Sequence, residues 1–542
     1  MIAPTALDPT RRTRHLDAGE WDGSLIDTAL VVRAGRQPDR LAVVDADRHL
    51  TYGELDELVR RAAAGLRRLG VRRGEAVAWQ LPNWLEAVVV HHAVLRLGAV
   101  STPIIPIYRH REVGFILRQS RARTLVVPSS FRGFDHLRMV DDLRAELPDL
   151  RTVIGVRGER DTFRELVEEP ADTGPGDEHT ADDIALLLYT SGTTSAPKGV
   201  LHNHHTLEYE NRSILDLFGL TGEDTVFMPS PVSHITGILY GLHLPFTLGT
   251  AVVLQDVWNP ADALALLERH RCSVVIGATP FLHGLVHHPD RSRYDLSALR
   301  VFGCGGADVP PELIRHGEES LGCTATRIYG STEFPTLSGG NADDPLEKRA
   351  TTDGRPLGTA RGRAVTEDDR PVARGSVGQL QVRGPELFVG YLDPELNTAA
   401  FTDDGWFRTG DRAVIDADGY VQITGRTKDI IVRGGENISA KEIEDLLFEH
   451  PDIADVAVVG MPDPVMVERI CAYVVPAHPS AAPTFDDILT FLRAQQIANQ
   501  KLPERLEIID RLPRTATGKI QKFVLRDHVR ARLSSEGPTG PR

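Results

Sequence analysis

Hydrophobic positions recur at helical spacing early in the chain. Thr51-x-x-Glu54 forms a capping-box pattern. Leu55, Leu58, Ala62, Leu66 and Leu69 follow on one predicted face, and Gly70 ends the run. Residues 75–80 read as a strand, 84–97 as a helix, 100–105 as another strand and 184–188 as a buried strand. The rhythm returns with helix 262–270, strands 273–276 and 299–302, helix 311–321 and strand 326–329. Such alternation predicts parallel sheets covered by helices. After about residue 375 the pattern changes. Segments 377–382 and 419–424 read as short antiparallel strands joined by Gly/Asp turns. Beyond residue 428 a compact unit is predicted from helix 441–449, strands 456–459 and 470–475, helix 485–496 and strand 505–509.

At 542 residues the chain exceeds one ordinary domain. The expected class is α/β. A large N-terminal domain, 1–427, has helix-covered parallel sheets and a small β-barrel-like part. A small mobile α+β domain, 428–542, follows. The net charge of −15 disfavours nucleic acid and anionic membranes as partners, so any polyphosphate needs a local basic site. Four scattered cysteines without a Cys-x-x-Cys suit reduced thiols in a cytoplasmic protein. Arg11, Arg12 and Arg14 precede no apolar region, so no secretory signal is expected. Residues 228–255 lack Asp, Glu, Lys and Arg, but Pro231 and Pro245 interrupt them. They are expected to form a buried helix and a buried strand, not a membrane span.

The run Tyr189-Thr-Ser-Gly-Thr-Thr-Ser-Ala-Pro-Lys-Gly-Val200 follows the apolar segment 184–188 directly. A strand leading into such a loop can present hydroxyls, backbone N–H groups and one cation to a polyphosphate. Lysine is scarce here, seven among 61 basic residues, so Lys198 suggests a place that needs a compact point charge. The order is not a P-loop, because Pro197 precedes Lys198 and Gly199 follows it.

The segment resembles the signature loop of the AMP-forming acyl-CoA synthetases, a superfamily that includes nonribosomal-peptide adenylation domains and firefly luciferase. Four more segments match in that family's order: Tyr329-Gly-Ser-Thr-Glu333, Thr409-Gly-Asp411, Gly425-Arg-Thr-Lys-Asp-Ile-Ile-Val-Arg-Gly-Gly-Glu-Asn-Ile-Ser439 and Pro513-Arg-Thr-Ala-Thr-Gly-Lys-Ile-Gln-Lys522. The resemblance implies an enzyme that uses ATP and Mg²⁺ to adenylate a small carboxylic acid and passes the acyl group to CoA. The pattern looks closest to the cyclohexanecarboxylate and short-to-medium-chain ligases. A homodimer is open.

Site roles follow from the resemblance. Thr190, Ser191, Gly192, Thr193, Thr194 and Lys198 would cradle the β- and γ-phosphates. Tyr329, followed by Gly330 and Ser331, would stack on adenine, with Gly305, Gly306 and Ala307 on its other side. Thr332 would meet the α-phosphate, and Glu333 would hold the metal. Asp411 would bind the ribose, with Arg426 beside it. Lys519 would bridge carboxylate and α-phosphate during adenylation. Lys428 would be the hinge that exchanges Lys519 for Gly434, Gly435 and Glu436 along the CoA path. His234 is a catalytic candidate beside an acyl pocket expected at Ser233, Ile235, Gly237 and Gly303, so enlarging Gly237 should narrow that pocket.

His202, His204 and His205, and His283, His287 and His288, are clustered. They lack an HExxH frame and partner cysteines, so solvated side chains are expected rather than a zinc site. Two alternatives stay open. The same ATP motifs resemble those of ATP-dependent diazotases, which activate nitrite for an aryl amine. A non-catalytic adenylate-binding protein would also carry them, although Lys198, Glu333, Asp411 and Lys519 are all intact.

Overall fold

The computed structural model describes residues 9–168, 170, 178–190, 197–306, 309–426, 429–433, 436–463, 466–478, 482–495, 497, 499–515 and 518–536. The capping box forms as the sequence predicts. Thr51 accepts from the Glu54 backbone, Glu54 answers to the Thr51 N–H, and helix Tyr52–Arg68 starts there. Its buried face runs through Leu55, Val59, Ala62 and Leu66. Leu69 falls off that face at the C-cap and is 47% exposed.

Two large sheets organise the chain. The first has seven strands, in the order Gly390–Tyr391, Lys198–Asn203, Ile184–Thr190, Val100–Pro103, Ala76–Trp79, Thr124–Pro128 and Thr152–Val156. The last five pair in parallel, and Lys198–Asn203 pairs antiparallel with both its neighbours. The second sheet has nine strands. Its parallel middle includes Thr324–Tyr329, Val301–Gly305, Val274–Ala278 and Val226–Met228.

Helix Leu85–Arg96 is buried on nearly every side, as an all-round apolar helix must be. Its polar residues are paired. Glu86 meets Arg48 and Arg157, His92 meets Asp27, and His91 meets Ser101 and His243.

The uncharged stretch folds as expected, through Ile235–Gly237, Ile238–His243 and Leu244–Leu248 into strand Val252–Leu254. The sequence did not reveal that Ile238–His243 is a π-helical turn, a feature frequent at functional sites. No helix among the described residues is long and apolar enough to cross a membrane.

The expected barrel-like part is an antiparallel sheet of Arg361–Val365, Val377–Arg383, Phe407–Ile415 and Val421–Arg426, in an open strand order. From Ile430–Arg433 onward the strands belong to a separate sheet with its own core around Ile443, Val458 and Ile488. Helix Lys522–Glu536, which the sequence reading missed, closes the far side of that unit through Leu525 and Val529.

Candidate active site

The Lys198 hairpin is part of the seven-stranded sheet. Lys198 pairs in register with Thr190, so the loop opens at the strand ends. Ser191, Gly192, Thr193 and Thr194 lie outside the described residues, as do Ala307, Lys428, Gly434 and Gly435. Glu436 begins strand Glu436–Ser439.

The Lys198 ammonium sits 5.1 Å from the centroid of the Tyr391 ring. Val200 and Tyr391 are cross-strand partners. The Tyr391 phenol donates to Glu333 Oε1 at 2.8 Å. Burial and the Glu333 charge push the Tyr391 pKa up, which keeps it a neutral donor. Tyr391 therefore lies between the cation of the signature loop and the carboxylate expected to hold the metal. It stands in no motif singled out from the sequence.

Thr332 and Glu333 lie in the loop after strand Thr324–Tyr329, and contacts to both backbone carbonyls hold that loop. Phe388 N–H donates to Glu333 O at 2.8 Å. His202 Nε2 lies 2.8 Å from Thr332 O, and its Nδ1 lies 3.0 Å from the Thr206 hydroxyl. Thr336, a few residues on, takes part in a buried network. The Tyr240 phenol donates to Glu210 Oε1 at 2.6 Å, and Thr336 N–H donates to Glu210 Oε2 at 3.2 Å. Burial pushes the Glu210 pKa up to about 7.

His202, His204 and His205 thus correct the expectation of solvated histidines. They are 0%, 1% and 4% exposed. Their ring nitrogens are used inside the fold, with His204 Nδ1 accepting from Ile26 N–H. His283 and His287 are exposed, as expected, whereas His288 is half-buried and its Nδ1 accepts from Asp290 N–H at 3.2 Å. Among the described residues no group of three or more His, Cys, Asp or Glu could hold a metal ion.

Burial lowers the His202 pKa to about 4. The folded value lies below the unfolded one, so His202 contributes stability that is fully present above about pH 6.5 and lost as pH falls toward 4. Replacing His202 with Gln, which does not titrate, should therefore remove about 2 kcal/mol of the acid destabilisation between pH 7 and pH 5. Urea unfolding of both proteins at the two pH values measures it. Parallel pH dependences would contradict the buried, neutral assignment.

A second cluster surrounds Tyr329. The Tyr329 phenol donates to Asp411 Oδ2 at 2.5 Å, and Arg426 Nε lies 3.2 Å from Oδ1. Asp411 and Arg426 face each other across strands Phe407–Ile415 and Val421–Arg426. Burial first, then the Asp411 charge, raises the Tyr329 pKa. The ring is thus tethered at its far end. Tyr329→Phe deletes one hydrogen bond to a charged acceptor, about 1.5–3 kcal/mol. The expected result is a KM for ATP raised at least about tenfold with kcat little changed, read from steady-state kinetics. A fall in kcat at constant KM would give Tyr329 a different role. Gly305 ends strand Val301–Gly305, and Gly306 follows with φ +76°.

The third cluster brings the C-terminal unit to the large one. Asn83 Nδ2 donates to Ser230 O at 2.8 Å, and Val232 N–H donates to Asn83 Oδ1 at 2.8 Å, which fixes the segment leading to Ser233 and His234. His234 has its pKa lowered to about 4, by burial first and then by the positive charge of Lys519. The charge of Lys519, from the C-terminal unit, therefore reaches the buried His234 ring in the large unit. The Ser233 hydroxyl is buried without a hydrogen-bond partner, and Ile235 is buried beside it.

Two pocket expectations need correction. A Cβ on Gly237 would lie 2.1 Å from Pro231 O and 2.5 Å from Val232 Cα, so that position faces its own backbone turn. A Cβ on Gly303 would meet Phe218 at 3.3 Å and Ile276 at 3.5 Å, so it faces packed core.

Known proteins resemble this chain over most of its length. The AMP-binding enzyme family matches residues 30–392, and the AMP-binding enzyme C-terminal domain matches residues 442–519. The medium-chain fatty-acid–CoA ligase of Escherichia coli (strain K12) is 36% identical over 99% of this chain and 96% of its own. The 2,3-dihydroxybenzoate-AMP ligase of Bacillus subtilis (strain 168) is 32% identical over 98% and 97%. The crystal structure of the anthranilate CoA ligase AuaEII in complex with anthranoyl-AMP superposes with a TM-score of 0.87 at 26% identity, covering 94% of this chain and 98% of its own. On these matches the chain belongs to the AMP-binding enzyme family, the AMP-forming acyl-CoA synthetases.

Proposed function

We propose that this enzyme joins a carboxylic acid to CoA in two half-reactions, in a cytoplasmic setting. In the first, a carboxylate oxygen attacks the α-phosphorus of ATP and pyrophosphate leaves. In the second, the CoA sulfur attacks the acyl carbon and AMP leaves. The observation that carries this reading is the seating of the Lys519 turn on the large unit, where a Cβ on Gly518 would come within 2.8 Å of Pro280 Cγ.

The residues divide the work. Lys198, with Thr190 and the hydroxyl-bearing loop, takes the β- and γ-phosphates. Tyr329 is held through its phenol by Asp411 and presents its ring to adenine, while Asp411 and Arg426 meet the ribose. Thr332 lies where His202 fixes its backbone, beside the α-phosphate. Lys519 offsets the charge that develops between carboxylate and phosphate, and such pre-placed charge is the largest lever in a site of this kind. Glu333 offers carboxylate oxygens near Lys198, and these fit Mg²⁺, which favours carboxylate and phosphate ligands. When bound, that ion would neutralise part of the phosphate charge. His234 is uncharged near neutrality and adds no second cation to the acyl entrance.

The acid pocket is assigned to the apolar structure around Ser233 and Ile235. Relatives handle both fatty acids and hydroxylated aryl acids, as the medium-chain and 2,3-dihydroxybenzoate enzymes illustrate. The test is ATP–pyrophosphate exchange over short, medium, alicyclic and aromatic acids, followed by AMP release with and without CoA. Exchange with an acid and CoA-dependent AMP release are expected. Exchange only with nitrite, and release that needs an aryl amine, would replace this reading with the diazotase.

A further inference from the structure

The turn that carries Lys519 is built tightly. Thr515 N–H donates to Lys519 O at 2.8 Å, and Gly518 N–H donates to Thr515 O at 2.9 Å. Lys519 N–H donates to the Thr515 hydroxyl at 3.1 Å. Arg514 and Ile520 flank the turn as an antiparallel bridge. Yet these bonds fix only the shape of the turn, not its place relative to the sheet beneath it.

Arg514 supplies a link on the turn itself, beside the Ile520 packing and the Lys522–Glu444 pair that follow it. Its Nη1 donates to Gly518 O at 2.5 Å, and its Nη2 donates to Asp455 Oδ2 at 2.6 Å. Asp455 belongs to strand Ile453–Asp463, which is paired along its length with Val467–Pro476. One planar guanidinium therefore spans from the rigid sheet to the carbonyl next to Lys519. The fork is rigid and its donors diverge at fixed angles, a geometry that an ammonium cannot copy. The pair is partly exposed, with side chains 30% and 22% accessible, so its contribution is geometric more than energetic.

The placement matters because the turn has little room. Gly518 adopts φ +82°, and a Cβ there would come within 2.8 Å of Pro280 Cγ in the large unit. The backbone of the turn thus rests against the start of helix Thr279–Val286. A turn that shifts carries Lys519 away from His234 or drives Gly518 into Pro280.

We propose that Arg514, anchored by Asp455, is the positioning residue that presents Lys519 for adenylate formation. The inference rests on the reading of Lys519 as the adenylation lysine. Displacing a reacting group by about 1 Å costs about 10²-fold in rate. Arg514→Ala should therefore lower kcat for adenylate formation by about 10²-fold, with the KM for ATP little changed. Thioester formation from a supplied acyl-adenylate should be spared. Arg514→Lys should recover little, and Asp455→Asn should fall between Arg514→Ala and the parent. In a Lys519→Ala background, Arg514→Ala should cost nothing further, because there is no longer an ammonium to place.

Each alternative result has a meaning. Multiplicative losses in the double variant, equal losses in both half-reactions, or an unimpaired Arg514→Ala would overturn the proposal. A crippled Lys519→Ala beside a normal Arg514→Ala removes only Arg514. A normal Lys519→Ala removes the underlying assignment of Lys519. If Arg514→Ala does not fold, Arg514→Lys and Asp455→Asn, which keep the side-chain volume, are judged by the same comparison.

Discussion

Lys519→Ala is expected to cut adenylate formation by about 10²–10³-fold, the loss of roughly 3–4 kcal/mol of charge stabilisation in a preorganised site. Thioester formation from a supplied acyl-adenylate should be largely spared. The asymmetry follows from position. The Lys519 charge is felt at His234, where the acid and the α-phosphate are proposed to meet. Negative charge accumulates there as pyrophosphate departs, whereas the second half-reaction begins after that charge is gone. Rapid-quench measurement of adenylate, paired with a thioester assay from synthetic adenylate, separates the two steps. Equal losses in both would refute a role confined to adenylation.

Gly237→Leu is expected to damage the fold instead of reshaping the acid pocket. The sequence places Gly237 in an uncharged stretch beside His234, which suggested a wall that a larger residue would narrow. The backbone decides otherwise. A Cβ would overlap Pro231 O at 2.1 Å, and no rotamer relieves a clash at Cβ itself. The turn before Ser233 and His234 would have to move, at roughly 3 kcal/mol, the upper end of overpacking penalties. Two readouts are expected together: a lower thermal midpoint, and a fall in kcat/KM of similar size for every acid. Parental stability, with a penalty that grows with acid size, would restore Gly237 to the pocket.

The sequence by itself determined the class of chemistry. Motif order marked Lys198, Tyr329, Thr332, Glu333, Asp411 and Lys519 as candidates, because side chains proposed to touch one nucleotide are restricted in type and in local backbone. Helix and strand rhythm supplied the parallel sheets, because periodicity follows from which face is buried. Even the unusual uncharged segment 228–255 read correctly as helix then strand.

Only the tertiary structure decided what lies between those motifs. Tyr391 joins the Lys198 and Glu333 neighbourhoods from a two-residue edge strand, and nothing local marks it. His202 and Glu210 are polar residues whose burial depends on partners distant in the chain, Thr332 for one and Tyr240 and Thr336 for the other. Without those partners in view, the histidines read as solvated. Gly237 and Gly303 differ in the same way. A glycine in a sequence announces that space is short, but not whether a ligand, a side chain or a carbonyl fills it. Pro231 O and Phe218 fill it here, a fact set by long-range packing that no window of residues contains.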